Sequence, residues 1–452
     1  MHPYLAGSED RRRMLEAIGC SSVAELFRTL PGEVRCGELE LPRGRSEEEV
    51  RREFWALAGR NLAPDCAASF LGAGVYQHVV PAVADALLQR GEFFTAYTPY
   101  QPEVSQGTLQ AIFEFQTFVC QLTEMDVANA SLYDGATAVV EAVLMAQRLA
   151  PGRKRVVVAS TLHPDWRAVL DTYCEAMGLT VTATPRDSQG RVDADALAAA
   201  LGQDVSAVVV QSPNFLGVIE DLPVVGKIAK AVGALAIQAV AEATSLGLLA
   251  PGGRFGFDVV CGEMQAFGIP AAFGGPHLGF FAARRACLRQ MPGRLVGETV
   301  DSQGERGFVL TLSTREQHIR RAKATSNICT NHGLMALAAT IVLSLLGRRG
   351  VREVALASHA KAEYLKAGIR ELMKGDVGVR LAFPESPTYN EFLVLHDDPE
   401  RLLARLQDEL ILGGVATTQF GDMFPRGFLV AATEKNTKAD CDRLLGALRR
   451  PA

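Results

Sequence analysis

The residues best placed for chemistry follow two short apolar runs. The run 234–240 continues into Ala241-Glu242, and the run 258–262 continues into Glu263-Met-Gln-Ala-Phe-Gly268. An acid at the end of one buried strand can hold a protonated ring nitrogen. A lysine in the loop after a neighbouring strand can carry a carbonyl compound as a Schiff base. Here the acid is Glu242, and the place for the lysine is taken by Gln265 and Ala266. The nine lysines are Lys154, Lys227, Lys230, Lys323, Lys361, Lys366, Lys374, Lys435 and Lys438, and none falls in that loop. Other catalytic signatures are missing from the sequence. There is no G-x-S-x-G elbow, no H-E-x-x-H pair and no phosphate loop ending in G-K-[ST]. Phe273-Gly-Gly-Pro276 is glycine-rich but does not open a helix after a strand, so it makes a poor dinucleotide site. His163 lies between a strand and a helix, where a capping role is favoured over a catalytic one.

These residues depend on the elements that place them. Apolar runs at 156–160, 180–185, 207–211, 234–240, 258–262 and 279–283 read as strands, and helical spacing at 136–149, 165–177, 195–201 and 224–232 separates most of them. Such alternation predicts a parallel sheet covered on both faces, a doubly wound α/β domain with its ligand site at the carboxyl ends of the strands. Ahead of it, Ser22-Val-Ala-Glu25 and Ser46-Glu-Glu-Glu49 are helix-start signals, and Thr108 to Met125 has helical spacing. Tyr133-Asp134-Gly135-Ala136-Thr137 opens a helix as a phosphate loop would, but Asp134 puts a negative charge there and reads as an N-cap. The apolar run 333–347 reads as a buried core helix, too short to span a bilayer. Beyond it, helices at 354–372, 399–409 and 438–448 and strands at 378–382, 391–395 and 427–431 predict a smaller α+β domain. The expected division is a helical segment over 1–90, a large α/β domain over 91–350 and a small domain over 351–452.

Composition narrows the function classes. A formal net charge of −5 does not favour nucleic acid or an anionic membrane as partner. Nine scattered cysteines without C-x-x-C spacing argue against a disulfide framework or a zinc site, so no metal is expected and a reducing cytoplasm fits. The first residues contain no apolar segment of the secretory kind. A large α/β domain followed by a small α+β domain suggests a pyridoxal-phosphate-dependent transferase fold of the aspartate-aminotransferase type. Without a Schiff-base lysine, such a chain either does something else or works beside a chain that has one.

The stretches TAYTPYQPEVSQGTLQAIFEFQ, ANASLYDGATAVVEA, VVVQSPNFLGVIEDL, FGGPHLGFFA, PGRLVGETVD and GFVLTLSTREQHIRRAKATSNICTN, with the later NEF and AATE, carry a family resemblance. Together they resemble the alpha subunit of two-subunit glycine dehydrogenase (decarboxylating), the P-protein family of the glycine cleavage system. The resemblance runs from HPYL nearly to the end. It implies a partner, a beta subunit of similar fold that bears the pyridoxal-phosphate lysine. The absent lysine would then be the family's own pattern. Glu242 departs from it, since an Asp is expected there.

By the same resemblance, the pair decarboxylates glycine on pyridoxal phosphate, releases carbon dioxide and passes the aminomethyl group to the lipoyl arm of H-protein, with a functional link to T-protein and L-protein. This chain would hold no catalytic lysine and would wall the partner's pocket. Candidates are Tyr97, Tyr100 and Gln101 on a proline-stiffened loop, and Ser326, Asn327 and Thr330 after a basic helix. Interface packing explains the first group equally well, and helix capping is favoured for the second. Two other functions remain open: a stand-alone pyridoxal-phosphate enzyme, against which the lysine positions weigh heavily, and a non-catalytic scaffold that binds a related enzyme.

Overall fold

Valine, alanine and isoleucine fill the runs that form the central sheet, and they are buried on both sides of it. In the computed structural model, which describes residues 4–37, 39–62, 67–328, 330–375 and 377–450, seven strands pair in one sheet. Their order is Val127–Ala128, Gly279–Ala283, Val259–Glu263, Leu235–Val240, Val205–Gln211, Arg155–Ala159 and Thr180–Thr184. The last five are mutually parallel. Gly279–Ala283 runs antiparallel to both of its neighbours, so the sheet is mixed where a parallel one was expected. Helices Gly135–Leu149, Pro164–Ala176, Ala194–Ala200 and Leu222–Ala231 supply the crossovers. Along Val205–Gln211, Val208 and Val210 enter one core and Ala207 and Val209 the other. That is the two-layer cover a doubly wound fold needs.

A second, four-stranded antiparallel sheet has the order Arg380–Leu381, Glu391–Leu395, Gly427–Ala431 and Val415–Ala416. Helices Pro399–Asp408 and Lys438–Leu448 accompany it, and Phe392, Val394, Phe428 and Val430 pack there against Leu365 and Ile369. This is the smaller α+β portion the sequence predicts. Leu365 and Ile369 belong to helix Gly333–Met373, which joins the two helical patterns of 333–347 and 354–372 across a break at Gly347 (φ +56°). The helix is long and apolar enough to cross a membrane, but Ala336, Ala339, Val342 and Leu343 from its first half lie in the core of the large sheet. The hairpin Leu295–Val300 with Arg306–Thr311 has no counterpart among the expected elements.

The chain divides into Met1–Leu62 and Ala63–Ala452. By itself the first unit holds helices Ser8–Ala17 and Glu47–Ala58, and none of its described residues is buried. Ser46 and Glu49 form the expected capping box. Ser22 does not cap an α-helix: Val23–Phe27 is a 3-10 turn, and the Glu25 carboxylate is taken instead by the N–H and hydroxyl of Ser21.

Cover on both faces makes a testable difference. Val208→Ala and Val209→Ala each remove two methyl carbons, from opposite layers. Both should therefore destabilise, by about 1.5–3 kcal/mol each, where a strand with one wet face would tolerate one of them. Denaturant unfolding of the two variants measures this, and a silent change at either position would contradict the two-sided burial.

Candidate active site

Strands Arg155–Ala159, Leu235–Val240 and Val259–Glu263 end at a common edge of the sheet, the place where open α/β sheets bind ligands. His163, Glu242 and Gln265 follow them, and all three are buried. Helix Gly135–Leu149 starts beside them. As the sequence predicts, Asp134 is its N-cap and accepts the Thr137 N–H at 2.7 Å.

Glu242 is fully engaged. Its Oε1 accepts the N–H and hydroxyl of Thr244 at 2.8 and 2.6 Å. Its Oε2 lies 3.0 Å from Nε2 of His78, whose Nδ1 lies 2.7 Å from Oε2 of Glu434. Burial pushes the His78 imidazolium down, but the two carboxylates outweigh it and hold the group up at about 10. Both ring nitrogens then donate, one to each acid.

His163 caps helix Pro164–Ala176 by accepting the Asp165 N–H at Nδ1, 3.2 Å, which leaves Nε2 to donate to the Ala73 carbonyl at 2.8 Å. This is the capping role favoured from the sequence. Its ring stacks on Trp166, with centroids 5.7 Å apart and planes 19° apart. The Glu263 carboxylate accepts N–H groups from Gln265 (3.0 Å), Leu278 (2.8 Å) and Gly135 (3.1 Å), the last being the first residue of the helix. The Gln265 amide donates to the Ile269 carbonyl, and Ala266 is buried beside it.

A separate cleft of about 310 Å³ is lined by Phe94, Tyr97, Thr98, Pro276, Thr330 and His332, among others. It unites two of the sequence-predicted residues, Tyr97 and Thr330. Tyr97 is 77% exposed. The other candidates stand elsewhere. The Tyr100 hydroxyl accepts from the Arg294 guanidinium at 3.2 Å, and Arg294 pairs with Glu316 at 3.3 Å. Ser326 donates to the buried Glu141 at 2.7 Å and accepts the Ile328 N–H at 3.0 Å, so it braces its own loop. Gln101 and Asn327 are exposed outside the cleft lining.

Comparison with known proteins matches residues 3–448 to the family described as glycine cleavage system P-protein. The chain belongs to the glycine cleavage system P-protein family. A protein of Geobacillus thermodenitrificans named probable glycine dehydrogenase (decarboxylating) subunit 1 is 48% identical to it over 99% of both chains. One of the same name from Anaeromyxobacter dehalogenans is 49% identical, again over 99% of both. A crystal structure of glycine decarboxylase (P-protein) of the glycine cleavage system, in inhibitor-bound form, aligns with a TM-score of 0.87 at 45% identity, covering 99% of each chain. Two more distant structures share the fold. A Burkholderia pseudomallei sphingosine-1-phosphate lyase aligns at TM-score 0.65 and 17% identity, over 92% of each chain. A C-DES variant with glycine linked to its pyridoxal-phosphate cofactor aligns at 0.62 and 17%, over 89% of this chain and 99% of that one. The fold is thus that of pyridoxal-phosphate enzymes, as the order of elements predicts.

The crevice of this P-protein family member nevertheless does not fit that cofactor. Its lysine position is a glutamine bonded to backbone. The first N–H of its helix, where a phosphate would lie, is taken by Glu263. Space is also closed there. A Cβ on Gly135 would come within 2.3 Å of the Trp166 ring.

Sequence reasoning missed His78, Glu434, Glu263 and Trp166 in the crevice and His332 in the cleft. Nothing in the spacing of residues 78, 242 and 434 signals that they meet, since each comes from a different element. His78 and Glu434 do lie in stretches with otherwise unexplained polar residues, GVYQHVV and AATE.

The His78 pair makes stability depend on pH. Its folded value of about 10 lies above the ordinary 6.5, so the contribution is complete below pH 6.5 and is lost as pH rises through 10. Burial raises Glu220 and Glu391 to about 7, which acts through the lower window from their ordinary 4.5 up to 7. Above pH 7.5, therefore, thermal melting of the wild type should fall with pH more steeply than that of His78→Gln. Equal slopes would show that His78 is not charged in the fold.

Proposed function

We propose that this chain is the alpha subunit of a heteromeric glycine decarboxylase and is active only with a lysine-bearing beta subunit. The pair takes glycine, releases carbon dioxide and transfers the aminomethyl group to the lipoyl arm of H-protein, in the system completed by T-protein and L-protein. Pyridoxal phosphate is held by the partner. The observation that carries this reading is a full-length match to proteins named subunit 1 of glycine dehydrogenase, in a chain whose lysine position is the buried Gln265. Two of its lysines are committed elsewhere: Lys366 to Glu363 and Thr388, Lys361 to the carbonyls of Thr433 and Glu434.

This chain's share of the chemistry lies in the open cleft. Tyr97 and Thr330 line it, and Tyr100, held by Arg294, stands on the same loop as Tyr97. Gln101, Ser326 and Asn327 shape the two loops that supply this wall. An exposed tyrosine beside a cleft serves a partner's site at low entropic cost, because its loop is already ordered. The need for a partner is also supported by Met1–Leu62, which buries none of its described residues while exposing Phe54 and Trp55. We place the assembly in the cytoplasm, without nucleic acid or membrane, on the net charge of −5 and the seven free cysteines among the described residues.

Co-expression with the lysine-bearing homologue, followed by glycine–bicarbonate exchange with H-protein, tests the reading. Exchange should require both chains. Borohydride reduction of the pair in the presence of pyridoxal phosphate should label the partner. A stoichiometric pyridoxyl adduct on any of this chain's nine lysines would refute the division of labour.

Tyr97→Phe and Tyr100→Phe separate a catalytic wall from interface packing. Loss of a hydrogen bond made in the transition state costs about 1–3 kcal/mol, roughly ten- to a hundredfold in rate. Packing alone predicts full activity for Phe and weaker subunit affinity for Ala. Full exchange activity in both Phe variants would make the loop structural.

A further inference from the structure

We infer that the crevice of this chain is a self-liganded cofactor pocket, in which His78, Glu263 and Trp166 stand where a cofactor's cationic nitrogen, phosphate and aromatic ring would stand. The inference deepens the reading that the partner holds pyridoxal phosphate, because it explains why this chain cannot. It goes beyond the missing lysine. A pocket that had lost only its lysine would still bind the cofactor without a covalent bond.

A pyridoxal-phosphate pocket offers an acid to a protonated ring nitrogen. Here Glu242, at the end of its strand, has a cation already: His78 Nε2 at 3.0 Å, with both side chains 3% exposed. Such a pocket also offers the N-terminus of a helix to a phosphate. Helix Gly135–Leu149 has 15 residues, and its first N–H is bonded to the buried Glu263 carboxylate at 3.1 Å. Finally, a pocket of this kind provides a flat face for the ring. The flat side chain available is His163, and the buried Trp166 stacks on it.

The lid over this arrangement is also part of the chain. A Cβ on Gly74 would lie 2.6 Å from His163 Nε2, so the segment 70–78, which turns at Ala73 and Gly74, passes directly over the imidazole. Ala73 N–H and the Tyr76 hydroxyl anchor that segment on Glu391, at 2.6 and 2.8 Å, and His78 anchors it on Glu242 and Glu434. The crevice is filled, neutralised and covered. Its cation and its anion take the places of those a cofactor would bring.

Two predictions distinguish this from a merely vacant site. Gln265→Lys restores the Schiff-base residue but should not restore binding, because the stand-ins remain. Glu263→Ala removes the internal anion and should let inorganic phosphate bind at the helix N-terminus. The chain has two tryptophans, Trp55 and Trp166, so Trp55→Phe leaves one reporter inside the crevice. In that background, pyridoxal phosphate in large excess should leave Trp166 emission unchanged, with or without Gln265→Lys. Saturable quenching in either protein would overturn the inference. Phosphate should raise the melting temperature of Glu263→Ala by a few degrees, in a saturable way, and leave the wild type unmoved. A wild type that responds as strongly, or a folded Glu263→Ala that does not respond, would also overturn it. Should Glu263→Ala fail to fold, Glu263→Ser, which keeps a hydroxyl for the neighbouring loop but vacates the helix N-terminus, answers the same question. All these readouts are taken on this chain without its partner. A failure here therefore leaves the co-expression experiment, which tests where the active cofactor sits, to be judged on its own.

Discussion

A charge taken out of water must meet its counter-charge, because a lone buried ion costs several kcal/mol. At the carboxyl ends of the large sheet, Glu242 and Glu263 are both buried, and everything around them follows from that constraint. Glu242 needs a cation, and His78 provides it from a segment more than 160 residues earlier in the chain. Glu263 needs donors, and it finds three N–H groups, one of them at a helix start where the aligned peptide dipoles favour an anion. Removing either acid or its partner would strand the other. The crevice therefore behaves as one unit. It ties the segment 70–78, the large sheet and the loop around Glu434 in the small α+β portion to each other.

On the proposal that the partner holds the cofactor, the same bonds explain how a fold used by pyridoxal-phosphate enzymes can persist without it. In a chain that binds it, the cofactor is a large anchor at the centre of the molecule. Here side chains supply the opposite charges and the aromatic plane from within, so the architecture keeps its electrostatic balance. The chain's open cleft lies elsewhere, along Phe94, Tyr97, Thr330 and His332. One site is closed and fully hydrogen-bonded, the other is exposed and lined by hydroxyls and aromatic rings. That contrast is what the proposed division of labour with a partner calls for.

Much of the fold was legible beforehand. The six strand-forming runs are real strands, because apolar β-branched residues bounded by turns have few other ways to be buried. The crossover helices follow from their spacing. Where the reading departed from the structure, the cause is tertiary. The hairpin Leu295–Val300 with Arg306–Thr311 has strands of mixed polarity that are partly exposed, and only pairing defines it. Gly279–Ala283 looks like any other buried strand, since its antiparallel direction leaves no mark on its composition. Ser22 and Glu25 have capping-box spacing, yet the carboxylate found a nearer partner in Ser21.

For the site, the sequence by itself determined the chemistry that is absent. No lysine stands in the loop after strand Val259–Glu263, and an inventory of residue types along one element suffices to establish that. It also determined the family, through long shared strings. Tertiary structure alone decided what fills the gap. Residues 78, 242 and 434 come from separate elements, and 135, 166 and 263 likewise, so no local pattern links them. It likewise decided that Tyr97 and Thr330 share a cleft while Ser326 turns inward to Glu141. The physical reason is the same in each case. Local sequence sets which backbone conformations are favourable, whereas the pairing of buried charges depends on which distant segments the packed core brings within about 3 Å of each other.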